Sequence, residues 1–292
     1  MQDILGSAHA VGNIENGTPE WHALRATGVG GSDVAAICRL SPYSSPYKVW
    51  AVKTGRLDDS FVPSEAAEWG NRLESVVLDK FEESHPELKL HRNVGTYANN
   101  DRPWQLANPD AIYETADGKF GIVEVKTSRF EDDWQNDEPP VWYQTQVQWY
   151  AQTFGFETPI YVVALFSGSK YREFEVSGDP FIQDTYLAEV EKFREYILND
   201  TAPDFDGSTA TFETVRALNP DIADRDIELG SLGADYLTAL DAYNQANENL
   251  NEQKSRVLDL MGDSKRGTLV GTVIVVRQSR NGGTPYLVNK KG

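Results

Sequence analysis

Residues 108–128 read NPDAIYETADGKFGIVEVKTS, and the fold turns on them. Asp117-Gly118 has the chemistry of a tight turn, and apolar residues alternate with polar ones on either side of it, so two antiparallel strands joined by a turn are predicted. Side chains two apart on a strand point the same way. Glu124 and Lys126 therefore project from one face, while Val125 points from the other into the core. Asp110 opens the facing strand, so two carboxylates and a lysine converge. Hard oxygen ligands of this kind suit Mg²⁺ or Mn²⁺, and the Val125 carbonyl, between Glu124 and Lys126, offers a further oxygen. A metal held there can activate water and neutralise charge on a phosphate attacked in line. Lys126 is placed to orient that water, to act as general base if its pKa falls, or to stabilise transition-state charge. Taken alone, E-x-K on a strand is ordinary surface chemistry, and the upstream P-D in a hairpin context is what lifts it above that.

Upstream of the hairpin three helices are expected. Ser32 is a candidate N-cap before VAAICRL, Ser45 and Pro46 open PYKVWAVKT with Gly55 closing it, and Ser64 precedes a run to about Ser84. In that run Leu73, Val76, Val77 and Phe81 fall at helical spacing and form the expected buried face, with Glu74 beside it. The period then changes to two, giving strands near 88–97 and 105–115. After the hairpin come a helix from about 140 to 153 stopped by Gly155, the strands PIYVVALFS and KYREFEV joined at Gly168, and a helix near 180–199. This order predicts an α/β fold: a core with a mixed central sheet flanked by helices.

The predicted organisation is a flexible leader at 1–19, a core at 20–200, a linker of loop composition at 201–231, and an accessory module at 232–292. The module is a C-terminal helix and β-hairpin appendage. Its helix, 232–262, has apolar positions at Tyr236, Leu240, Tyr243, Leu250, Val257 and Met261. Asn247 and Lys254 interrupt the seam and argue against a long coiled coil. TLVGTVIVVRQS and PYLVN supply the hairpin.

Composition narrows the function classes. At 292 residues and 40% hydrophobic the chain can bury a sizeable core. There is no apolar run near the ~20 residues of a membrane helix and no signal-peptide pattern, so the expected location is the cytoplasm. One cysteine, Cys38, excludes a disulfide framework and a Cys-ligated zinc or iron–sulfur site within the chain. A net charge of −18 argues against coating DNA through a broad basic surface. The acidity is concentrated in 131–230, so a narrow site where a few arginines and a divalent cation meet phosphates remains compatible with it. His22, His85 and His91 lack ligand spacing and are expected to be structural or surface residues. Trp21, Trp50, Trp69, Trp142 and Trp149 are expected to be packing residues. Arg39, Lys48, Lys53, Arg56 and Arg72 form either a modest DNA track or a solvated face.

WHALRATGVGGSD, LSPYSSPYKVW, WGNRLE, NPDA, EVK and YQTQVQ occur in this order between residue 21 and about 200. Together they resemble the YqaJ-like viral recombinase and lambda exonuclease family, within the PD-(D/E)XK nuclease superfamily. The resemblance implies a restriction-endonuclease-like core. It makes Asp110, Glu124 and the Val125 carbonyl metal ligands, Glu74 the helical acid at a second metal, Lys126 the catalytic lysine and Gln146 the active-site glutamine. Arg25 and Ser32 match the residues such exonucleases place around the 5′-phosphate of the DNA strand. A GGS turn entering a helix, with Arg25 adding a fork of donors, suits an anion there. The implied activity is 5′ to 3′ degradation of one strand from a double-stranded DNA end, with two Mg²⁺ ions (or Mn²⁺) per site. The implied partners are a phage single-strand annealing protein and further copies in a homotrimer. The alternatives are a structure-specific or single-strand endonuclease on the same fold, and a non-catalytic DNA-end or annealing-protein binder.

Overall fold

The structure is a computed structural model that describes residues 4–14, 18–58, 65–280 and 282–290. It divides into two compact units, one up to Asp221 and one from Ile222.

The first unit holds two five-stranded sheets. The strands β1 (Ile4–Leu5), β2 (Ala8–Gly12), β3 (Val29–Gly30), β5 (Thr96–Asn99) and β6 (Gln105–Ala107) make one sheet, ordered β1-β2-β5-β6-β3. The other contains β4 (Lys89–Arg92), β7 (Ala111–Glu114), β8 (Phe120–Ser128), β9 (Ile160–Phe166) and β10 (Lys170–Val176), ordered β10-β9-β8-β7-β4. The pairs β8–β9 and β3–β6 are parallel and the rest antiparallel, so both sheets are mixed. The helices are α1 (Pro19–Ala26), α2 (Gly31–Ile37), α3 (Pro46–Lys53), α4 (Glu65–Ser84), α5 (Val141–Phe154), α6 (Pro180–Leu198) and α7 (Thr209–Leu218).

Period-two patterning in the second sheet sorts side chains to opposite faces. Ala111, Tyr113, Val123, Val125 and Val163 pack with Val77, Leu78 and Phe81 of α4. Ile112, Ile122, Ile160, Val162 and Ala164 pack on the other side in the main core, with Val147, Ala151 and Phe154 of α5. Each fully buried Val, Leu, Ile or Phe side chain among them contributes about 1.5–3 kcal/mol. The helix α5 ends where Gly155 turns left-handed at φ 68°.

Several expectations are corrected. Residues 4–5 and 8–12 are strands rather than part of a flexible leader, because Leu5 and Ala8 are buried and β2 pairs with β5. The strands expected at 88–97 and 105–115 each split in two, because the chain passes from one sheet to the other within them. On α4 the buried face is Val77, Leu78 and Phe81, while Val76 is exposed. Ser64 lies outside the described residues. The 201–231 stretch contains α7, whose Ser208 N-cap accepts from Thr211 N and whose Thr211 hydroxyl bonds Ser45 at 2.8 Å. Trp50 and Trp149 are buried, as a packing role requires, but Trp69 is exposed.

The second unit is α8 (Ser231–Met261), an unbroken helix, followed by β11 (Arg266–Leu269), β12 (Thr272–Gln278) and β13 (Tyr286–Asn289). The expected hairpin is thus a three-stranded antiparallel sheet, ordered β11-β12-β13. Met261 and Val276 are its buried apolar residues. Among the described residues no helix is long and apolar enough to cross a membrane.

Candidate active site

The register of β7 with β8 sets Ala111 against Val123, which brings Asp110, just before β7, level with Glu124. Asp110 Oδ2 accepts the Val125 N–H at 2.7 Å. Glu124, 3% exposed, and Lys126 lie on the α5 face of the sheet, and Lys126 Nζ donates to Glu124 Oε1 at 2.6 Å. Val125 lies on the opposite face, against α4. From α5, Gln146 Nε2 donates to the same Glu124 oxygen at 2.6 Å and approaches the Tyr150 hydroxyl at 3.0 Å. That hydroxyl donates to the Asn108 carbonyl at 3.2 Å. The Tyr143 ring lies 4.9 Å from the Lys126 ammonium.

Electrostatics mark the cluster as short of positive charge. Burial, then the charge of Glu124, push the Asp110 carboxyl well above the usual carboxylate range, against the opposing pull of Lys126. Glu74, half-buried on α4, is raised by burial and by Glu124. Burial works to lower the Lys126 pKa, but Glu124 and Asp110 outweigh it and hold the ammonium above its ordinary value. Glu124 Oε2 is buried with no hydrogen-bond partner. A buried carboxylate oxygen left unsatisfied is costly, and three acids facing one lysine suit a hard divalent cation. Among the described residues no three His, Cys, Asp or Glu side chains stand close enough to ligate one ion as they are arranged. Asp110 and Glu124 are the residues that fit such an ion, with Glu74 near them in charge.

The end of α1 and the start of α2 form a second cluster. Arg25 donates to Ser32 Oγ at 2.6 Å and to Asp33 Oδ1 at 3.1 Å, and its guanidinium lies 4.7 Å from the Trp21 ring. Ser32 is not the N-cap. Gly30 holds that position, and the Asp33 carboxylate accepts the Gly30 N–H at 3.0 Å. Gly31 is required by close approach: a Cβ there would sit 2.6 Å from Tyr150 Cε1 and 2.9 Å from the Gln146 carbonyl. This closeness of α2 to α5 joins the two clusters. One cavity of about 160 Å³ is lined by Trp21, Arg25 and Ser32 as well as Asp110, Glu124 and Gln146.

The structure therefore gathers Glu124, Lys126 and Gln146 through direct bonds, holds Asp110 beside them on the Val125 N–H, and brings Arg25 and Ser32 to the same cavity. Asp33, Tyr150 and Trp21 were missed by sequence reasoning. Tyr150 stands four residues after Gln146 on α5, a helical spacing that could have flagged it. Trp21, expected to be a packing residue, lines the cavity, and its indole N–H is buried without a partner.

Residues 20–157 match the YqaJ-like viral recombinase domain. The Bacillus subtilis protein YqaJ is 32% identical over 208 residues, covering 70% of this chain and 64% of its own length. An African swine fever virus protein is 30% identical over 151 residues, covering 44% of this chain and 43% of its own. The chain thus spans less than two thirds of the length of either relative. An alkaline exonuclease from Laribacter hongkongensis superposes with a TM-score of 0.54 at 18% identity, covering 70% of this chain and all of that one. The same exonuclease in complex with dAMP gives 0.52. At this identity the likeness speaks for the fold, which is restriction-endonuclease-like. The residues that match the YqaJ-like viral recombinase domain, 20–157, include every residue that lines the cavity.

Proposed function

We propose that this chain is a metal-dependent DNA exonuclease that degrades one strand 5′ to 3′ from a duplex end and leaves a single strand for recombination. The observation that carries the reading is the single cavity with Arg25 and Ser32 at one part of its wall and Asp110, Glu124 and Gln146 at another. A cationic fork beside a carboxylate cluster gives a strand end one place for its terminal phosphate and a neighbouring place for the phosphodiester to be cut. The exonuclease likeness of the fold, including a neighbour in complex with dAMP, supports the same reading.

The orphaned Glu124 oxygen and the raised Asp110 carboxyl fit Mg²⁺ or Mn²⁺, held by Asp110 and Glu124 with Glu74 and the Val125 carbonyl as further donors. When bound, the ion supplies an activated water and charge neutralisation at the phosphate. Glu124 and Asp110 hold the Lys126 ammonium above its ordinary pKa, and from this position it serves the reacting phosphate as a cation and donor. Gln146 fixes the Glu124 carboxylate from α5, and Tyr150 in turn fixes Gln146. Arg25 and Ser32 receive the strand's 5′-phosphate.

The test is digestion of end-labelled duplexes bearing 5′-phosphate or 5′-hydroxyl, with Mg²⁺, Mn²⁺ or chelator. Cleavage is expected only with metal, to run from the 5′ end, and to fall by about 10²-fold or more in Lys126→Ala with the fold retained by circular dichroism. Wild-type rates in Lys126→Ala would remove the assigned site. End binding without cleavage under any divalent ion would leave a non-catalytic DNA-end binder. Internal cleavage indifferent to ends would leave an endonuclease on the same fold.

A further inference from the structure

Behind Arg25 lies a second cation that does not line the cavity. Lys53, the last residue of α3, has a side chain only 6% exposed. Its ammonium donates to Asp33 Oδ2 at 2.9 Å and to the Arg25 backbone carbonyl at 2.7 Å. Asp33, 13% exposed, is therefore shared: Oδ1 faces Arg25 at 3.1 Å, and Oδ2 faces Lys53 and the Gly30 N–H. Arg25 is the outermost of the three, 30% exposed and part of the cavity wall.

Removing an ammonium from water is costly, and it persists only where partners compensate for it. The arrangement has an electrostatic consequence. An arginine paired with one aspartate is a neutral pair and presents little field to an incoming dianion. With Lys53 on the far oxygen the trio Arg25, Asp33 and Lys53 carries a net single positive charge, and its exposed member is the guanidinium.

We propose that Lys53 is a positioning and specificity residue for the terminal phosphate. It neutralises Asp33 from behind and tethers the Arg25 backbone, so that Asp33 holds the guanidinium in place without cancelling its charge toward the cavity. This rests on the reading of Arg25 and Ser32 as the 5′-phosphate contacts. Asp33 stays ionised in this setting. Its burial is outweighed by Lys53 and Arg25, which hold its carboxyl below the usual range.

The test is equilibrium binding of the full chain, in chelator, to short blunt duplexes with 5′-phosphate or 5′-hydroxyl ends. The readout is the ratio of the two dissociation constants, which does not depend on cleavage. Wild type is expected to favour the phosphorylated end. Lys53→Met is expected to lose roughly tenfold of that preference while its affinity for hydroxyl ends is unchanged, and Lys53→Arg to restore it. The double variant Lys53→Met with Asp33→Asn, which removes the carboxylate that Lys53 neutralises, is expected to regain the preference. It also keeps the idea testable if the single variant does not fold. An unchanged ratio in Lys53→Met, equal loss on both ends, or a double variant no better than a folded single one would overturn the role of Lys53. A wild type with no preference would overturn the phosphate reading of Arg25 and Ser32 along with it, whatever its cleavage activity.

Discussion

Asp110 shows how a site can hold residues that cost the fold stability. Its carboxyl is pushed up by burial and by Glu124, so its folded pKa lies above the unfolded value. The sign follows: its contribution is fully favourable below the ordinary carboxylate range and is lost as pH rises through the raised folded value. At neutral pH without metal the cluster is under strain that asparagine would relieve, because an amide oxygen can still accept the Val125 N–H. Asp110→Asn is therefore expected to abolish cleavage and to raise the melting temperature in chelator by about 1–4 °C. Added Mg²⁺ should stabilise wild type and leave the variant unmoved. A lower melting temperature for the variant in chelator would mean that the cluster is not short of positive charge.

At the scale of elements, the joint between α4 and the second sheet decides where Glu74 stands relative to β8. Val77, Leu78 and Phe81 seat the helix, and His85 just past its end donates its Nε2–H to Glu173 Oε2 on β10 at 2.7 Å. Burial works to lower the His85 pKa, but Glu173, and after it Glu87, raise it above its ordinary value of 6.5. With the folded pKa raised, the stabilisation is complete below the unfolded value and is lost as pH rises through the folded one. Wild type should thus lose stability between slightly acidic and slightly alkaline pH relative to His85→Gln, as followed by urea unfolding at a series of pH values. Parallel pH profiles for the two proteins would show that the histidine is not charged at this joint.

For the molecule as a whole, every residue lining the cavity lies in the unit that ends at Asp221. The 201–231 stretch is not a uniform linker, since α7 in its first half packs with α3. Truncation belongs after Asp221 and not between Leu198 and Thr209. A chain ending at Asp221 is expected to fold cooperatively and retain metal-dependent cleavage of short duplexes, as checked by thermal melting and gel assay together. A folded but inactive truncation would show that α8 or its sheet contributes to the chemistry.

The hairpin was legible in residues 108–128 because strand periodicity is local: Asp117-Gly118 sets the turn, and the E-x-K spacing puts Glu124 and Lys126 on one face whatever surrounds them. Gly155, Ser45 with Pro46, and the YVVAL run were readable for the same reason, as each is fixed by a few neighbouring residues. What the sequence did not carry was decided between elements. The split of 88–97 and 105–115 across two sheets, the capture of residues 4–12 by β5, and the burial of Leu78 in place of Val76 depend on which surfaces meet, and pattern along one segment is silent on that. The site divides the same way. Sequence alone marked Asp110, Glu124, Lys126 and Gln146 as the candidate groups, whereas only the tertiary structure, through Gly31 letting α2 approach α5, placed Arg25 and Ser32 on the same cavity as Asp110 and Glu124 and set Lys53 behind them. Charges this far apart in the chain interact only through the distances that packing leaves between them.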